Sequence, residues 1–167
     1  GPLLGSLIRP IGGKLADRFS GSLVTLCTFA AMALCASVVL YASKTASLAL
    51  FIVGFVSLFV FSGLGNGSTY KMIPAIFSAK ARHAIESGAD PFAEDRTARR
   101  LSRALIGIAG AIGAFGGVLV NLAFRQSFLS TKNGDAAYLA FICFYVACLV
   151  VTWVVYRRPG RSRLAGV

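Results

Sequence analysis

One arginine of this chain stands where a charge is hardest to place. Arg9 is flanked by Leu7, Ile8, Pro10 and Ile11 within an apolar run, residues 3–16. An arginine at the middle of a membrane helix costs about 2.5–3.5 kcal/mol on insertion scales, and such residues usually face a bundle interior or a water-filled cavity. The competing account is a long side chain that snorkels to an interface. The six acids, Asp17, Glu86, Asp90, Glu94, Asp95 and Asp135, all lie in loops or at the ends of apolar runs. With no carboxylate inside the runs to neutralise Arg9, an anionic ligand is its natural counter-ion. A guanidinium suits a small planar oxyanion because its fork donates two parallel hydrogen bonds. The runs also lack an Asp, Glu or His that could relay protons, which favours anion exchange over proton symport.

Glycines form a second constellation. Gly107, Gly110, Gly113, Gly116 and Gly117 punctuate one apolar run, with Gly113 and Gly117 four apart and Ala109 extending the row. A small-xxx-small ridge lets another helix backbone approach closely, and it also uncovers peptide groups beside any cavity. Pure packing and a binding role both fit this density. A further cluster lies at residues 63–74, where Gly63, Gly65 and Gly67 alternate with polar side chains. Asn66, Ser68, Thr69 and Tyr70 bring hydrogen-bonding groups into the membrane there, either to line a cavity or to tie helices together. Lys71, about a turn and a half from Phe77, reads as a cation that snorkels to the cytoplasmic face.

The rest of the chemistry is sparse. Cys27, Cys35, Cys143 and Cys148 sit in apolar runs without CxxC spacing, and a single histidine, His83, accompanies them. Neither a metal nor a redox site is expected, and the thiols read as buried and inert. No nucleophile–base pair or ligand set appears in the spans, so neither an enzyme nor a bound cofactor is expected.

The elements that must position these residues follow from composition. Of 167 residues, 56% are hydrophobic and 14% charged, with a mean hydropathy of +0.74. A soluble domain carries about 25% charged residues, so this chain has too little polar surface for water and reads as an integral membrane protein. Apolar runs at 3–16, 23–42, 46–77, 101–124 and 136–156 predict five transmembrane helices, the first short and the third longer than one span needs. None alternates with the period of two that a membrane barrel requires. The chain opens on Gly1-Pro2 within an apolar stretch and lacks the charged start and cleavage site of a signal peptide, so it reads as a fragment.

The net charge of +11 raises the question of nucleic acid, and its distribution answers it. If the helices alternate, twelve basic residues fall on one side, at Lys14, Arg18, the connector 78–100 with Arg103, and the tail 157–167. Three (Lys44, Arg125 and Lys132) fall on the other. That asymmetry is the positive-inside pattern, which predicts a cytoplasmic connector, a cytoplasmic C-terminus and contact with anionic lipid rather than nucleic acid.

The segment Gly13-Lys14-Leu15-Ala16-Asp17-Arg18 resembles the G-x-L-A-D-R loop signature of the major facilitator superfamily, at a turn between two spans. The family pattern continues with glycine and basic residues, where this chain has Phe19-Ser20-Gly21-Ser22. The chain is similar, more specifically, to the nitrate/nitrite porter branch. Arg9, in Leu7-Ile8-Arg9-Pro10-Ile11-Gly12-Gly13, matches the substrate-binding arginine of that family's eighth helix. Residues 107–117 match its second nitrate signature, and residues 65–74 resemble its cavity-lining tenth helix. The resemblance implies helices eight to twelve of a twelve-helix fold, a partial C-terminal bundle spanning residues 1–167 whose N-terminal half is not in this sequence. It implies transport of nitrate and nitrite, as an antiport by alternating access. Arg9 would be the charge clamp, Gly107, Gly110, Gly113, Gly116 and Gly117 the close-approach wall, and Asn66 and Ser68 hydrogen-bonding groups. Gly13, Asp17 and Arg18 would form the conformational loop motif, in a bacterial inner membrane. A carrier of another small anion, and a truncated membrane protein that transports nothing, are the alternatives.

Overall fold

The computed structural model describes residues 2–156. Five helices account for nearly all of them: α1 (Pro2–Phe19), α2 (Gly21–Lys44), α3 (Leu48–Glu86), α4 (Pro91–Thr131) and α5 (Asp135–Tyr156). Among the described residues there is no strand, and the expected tail, 157–167, lies outside them. The fold is all-α. Helices α2 to α5 are each long and apolar enough to cross a membrane. Helix α1 has 18 residues and carries Arg9, Lys14, Asp17 and Arg18, and it falls short of that measure.

The connector expected as a loop over 78–100 is mostly helix. Helix α3 runs on through Glu86 and α4 begins at Pro91, so only residues 87–90 are non-helical. Local chemistry explains the correction. Ser87 caps α3, and Gly88 follows at φ 98°, the left-handed conformation that ends a helix with least strain in glycine. Asp90 then caps α4, its Oδ1 accepting from the Phe92 N–H at 3.1 Å, with Pro91 in the first turn and Glu94 beside the positive helix end. Arg99 donates to Asp95 one turn along, at 2.9 Å. At about 1.5 Å per residue the 39-residue α3 is close to 60 Å long, well beyond a hydrocarbon core of about 30 Å. The polar connector therefore stays helical outside the apolar zone.

Helix α3 is the hub, packing against α1, α2 and α4, while α2 also packs on α5. The α2–α3 seam is antiparallel and built on small residues. Val39, fully buried, lies over Gly54, where a Cβ would stand 2.8 Å from its methyl carbon. Thr28 lies over Gly65 in the same way at 2.7 Å, and Met72 over Gly21 at 3.2 Å. Ser43 donates to Asp135 at 3.3 Å, tying the end of α2 to the start of α5. Near the same end, edge-on ring contacts join α3, α4 and α5: Phe51 to Tyr138, and Phe124 to Tyr138.

Large apolar side chains cover the outside. Ile108, Ile112, Phe115 and Leu119 form one exposed stripe on α4, at the spacing of a single helix face. The four cysteines are not buried as expected: Cys27 and Cys143 are exposed, Cys35 and Cys148 half-exposed. In a bilayer an apolar side chain leaves water by facing lipid as readily as by facing protein, so apolar sequence context does not fix burial in the bundle.

Candidate functional site

Helices α1 and α3 run parallel and nearly touch. A Cβ on Gly63 would collide with the Gly5 carbonyl, one on Gly67 with the Arg9 carbonyl, and one on Gly12 with the Leu64 backbone. The Gly63-x-x-x-Gly67 pair on α3 is therefore the close-approach ridge of the fold. It seats the Arg9 backbone against Gly67, at the midpoint of α3. Arg9 thus stands beside the middle of α3, inside its apolar run.

From there Arg9, itself exposed, lines an open cleft of about 510 Å³ between four helices. Helix α2 contributes Thr25, Thr28 and Phe29, α3 contributes Asn66, Thr69 and Tyr70, and α4 contributes Gly110 and Gly113. No acidic residue lines it. A second cavity of about 220 Å³ adjoins the first and shares Arg9, Ser62 and Asn66 with it. Beyond Ser62 and Met32 lies a third of similar volume, lined by aromatic side chains that include Phe55, Phe124 and Phe141.

The polar side chains of the main cavity divide into two groups. Thr25 and Thr28 are satisfied within the bundle, by the Ser68 hydroxyl at 3.0 Å and the Val24 carbonyl at 2.7 Å. Arg9, Ser62, Asn66, Thr69 and Tyr70 make no side-chain hydrogen bond or ion pair among the described residues. They present a cation, an amide and three hydroxyls to the space between the helices. Donors that face a cavity with nothing to bind suit an acceptor-rich anion.

The expected site residues are thus only partly brought together. Arg9, Asn66, Gly110 and Gly113 share the cavity. Ser68 does not: it is fully buried, bonded to Thr25 and to the Gly65 carbonyl, each at 3.0 Å, and acts as a rivet between α2 and α3. Gly107, Gly116 and Gly117 also lie outside the cavity wall, with nothing within 4 Å of where their Cβ would stand. Thr69 and Tyr70, expected either to line a cavity or to tie helices, line it, and Ser62 joins them without having been expected there. Their signal was phase, since positions 62, 66, 69, 70 and 73 recur on one helical face and position 68 does not.

The loop motif acts on α3. Gly13 leaves room for the Lys71 side chain, whose Cδ would lie 3.6 Å from a Cβ there. The Lys71 ammonium then pairs with Asp17, one turn further along α1. Lys71 therefore reaches a carboxylate rather than standing as a lone snorkelling cation, although both partners are about half exposed. Arg18 stacks over the neighbouring Phe19 ring, 5.5 Å from its centroid.

The described helices thus form a multi-pass bundle with an open, mostly apolar cleft between them and a cation, Arg9, on one wall. No protein-family model matches the chain. It is 38% identical over 163 residues to the nitrate/nitrite transporter NarU of Salmonella typhimurium, which covers 95% of this chain and 35% of that protein. It is 35% identical to NarU of Escherichia coli, over 98% of this chain and 36% of that protein. A Thermus thermophilus protein named "Probable nitrate/nitrite antiporter NarK2" is 29% identical over 98% of this chain and 33% of its own length. The chain is similar to these nitrate/nitrite transporters over nearly its whole length and is a multi-pass integral membrane protein. It spans about a third of the length of these curated relatives.

Proposed function

We propose that this chain is part of a carrier that moves nitrate and nitrite across the bacterial inner membrane by alternating access, most simply as an exchanger. The observation that carries the reading is a guanidinium beside the middle of α3 with no partner among the described residues, in a cavity lined by no carboxylate among them and by four neutral hydrogen-bonding side chains left unengaged. A cation carrier would need the opposite charge there. Arg9 clamps the anion with two parallel hydrogen bonds, and Asn66 hydrogen-bonds beside it. The bare backbone at Gly110 and Gly113 keeps the α4 wall back from the ligand, while Ser68 supports the site only through α2–α3 packing. The chain corresponds to helices eight to twelve, and an N-terminal half supplies the opposite wall. The connector and C-terminus face the cytoplasm, and the chain works as a carrier rather than an enzyme.

The test is Arg9→Lys in the full-length transporter, reconstituted in proteoliposomes. Lysine keeps the charge and loses the planar fork, so nitrate/nitrite counterflow should fall by roughly tenfold to a hundredfold, the worth of a charge-assisted hydrogen bond. Membrane levels should stay unchanged. Unaltered counterflow kinetics would remove Arg9 as the clamp. Competition by a panel of anions separates nitrate from another small oxyanion, the second reading that an arginine cavity admits.

A further inference from the structure

The same cavity carries a device for telling its two anions apart. We infer that the Tyr70 hydroxyl is a specificity-determining donor that favours nitrate over nitrite. The inference rests on the carrier reading above and adds a residue to it. Arg9 meets α3 at Gly67, and Tyr70 lies three residues further on, about 4.5 Å along the axis. Both side chains line the same cavity. The Tyr70 hydroxyl reaches across towards α4, 3.6 Å from where a Cβ on Gly110 would be. The missing side chain at 110 leaves open space in front of it. Among the described residues the hydroxyl has no hydrogen-bond partner, unlike Thr25 and Thr28 on the facing helix, which are already engaged.

Ligand geometry does the rest. Nitrate is a planar trigonal ion, and an arginine fork takes the two oxygens of one edge. Its third oxygen points away from Arg9 and needs a separate donor. Nitrite has no third oxygen, so the fork alone meets both of its oxygens. A second, neutral donor lining the same cavity as Arg9 therefore stabilises nitrate selectively. Tyr70 suits this role better than Asn66, Thr69 or Ser62, because its longer side chain carries the donor furthest from the α3 backbone, towards α4.

Tyr70→Phe removes the oxygen and keeps the ring. Since the hydroxyl bonds nothing among the described residues, packing and membrane levels should be preserved. In proteoliposomes of the full-length transporter, the KM for nitrate should rise about tenfold, with the KM for nitrite changing less than twofold. Equal shifts for the two anions, or no shift in either, would overturn the inference. Arg9→Lys run in parallel keeps the two claims apart. If Arg9→Lys weakens both anions while Tyr70→Phe changes neither, the clamp stands and the discriminator fails. If Arg9→Lys changes nothing, the clamp fails while transport stands, and if the parent protein shows no counterflow of either anion, the carrier reading itself fails, whatever Tyr70 does.

Discussion

At Gly67 the lack of a side chain decides where Arg9 can stand. A methyl there would be driven into a backbone carbonyl, and no rotamer change relieves a backbone clash. Gly67→Ala must push α1 away from α3, at the roughly 1–3 kcal/mol typical of overpacked interiors. The melting temperature of the purified full-length protein in detergent should fall by several degrees. Gly113→Ala, at a position with open space around it, should leave melting unchanged. Equal melting of the two variants would mean that the α1–α3 contact is looser than described. The contrast also shows what single residues disclose. Arg9 was legible from its sequence because a charge within an apolar run has few places to go. Gly63 and Gly67 carried the same four-residue spacing as the signature glycines, yet they are the packed pair and the signature row is open. Spacing shows that a helix can be approached closely, but which helix approaches is a tertiary fact. Ser68 and Tyr70 were equally polar by composition. Only the rotation of α3 against α2 decides that one is riveted inside and the other left free.

Between elements, the Asp17–Lys71 pair links the ends of two helices that both wall the Arg9 cavity. Both partners are about half exposed, so the pair contributes little to stability, about 1 kcal/mol or less. Asp17→Asn should therefore melt within a degree or two of the parent. Its effect should lie in turnover, because a tie at one end of α1 and α3 biases how the pair moves as a unit. Counterflow should slow in Asp17→Asn and in Lys71→Met, and recover in part when the charges are exchanged as Asp17→Lys with Lys71→Asp. Slowing without any recovery on exchange would assign the effect to either residue alone. The helices themselves were legible from hydropathy, and so was the all-α class. The helical connector was not read, although Asp90, Pro91 and Glu94 are the residues that start a helix. The charges there mark exposure to water rather than absence of structure.

Across the whole molecule, α4 presents two opposed faces. Gly110, Gly113 and Ala114 look into the cavity, while Ile108, Ile112, Phe115 and Leu119 point away and are exposed. The small-residue face suits a polar path and the bulky face suits lipid, so α4 is oriented by composition alone. Depth and direction need the charges. Arg96, Arg100 and Arg103 lie exposed on the first turns of α4, and Lys44 at the end of α2 is exposed at the opposite end of the bundle. With the basic excess held in the cytoplasm, the first group should be cytoplasmic and Lys44 periplasmic. The background for the test is a variant lacking Cys27, Cys35, Cys143 and Cys148, into which Arg96→Cys or Lys44→Cys is introduced. A membrane-impermeant maleimide added to intact spheroplasts should label Lys44→Cys and spare Arg96→Cys, whereas inverted vesicles should reverse the pattern. Labelling of both positions from one side would place the two ends of the bundle on the same face, which antiparallel crossings of α2, α3 and α4 do not allow. The reverse pattern would keep the fold and invert it, moving the mouth nearest the arginines to the outside.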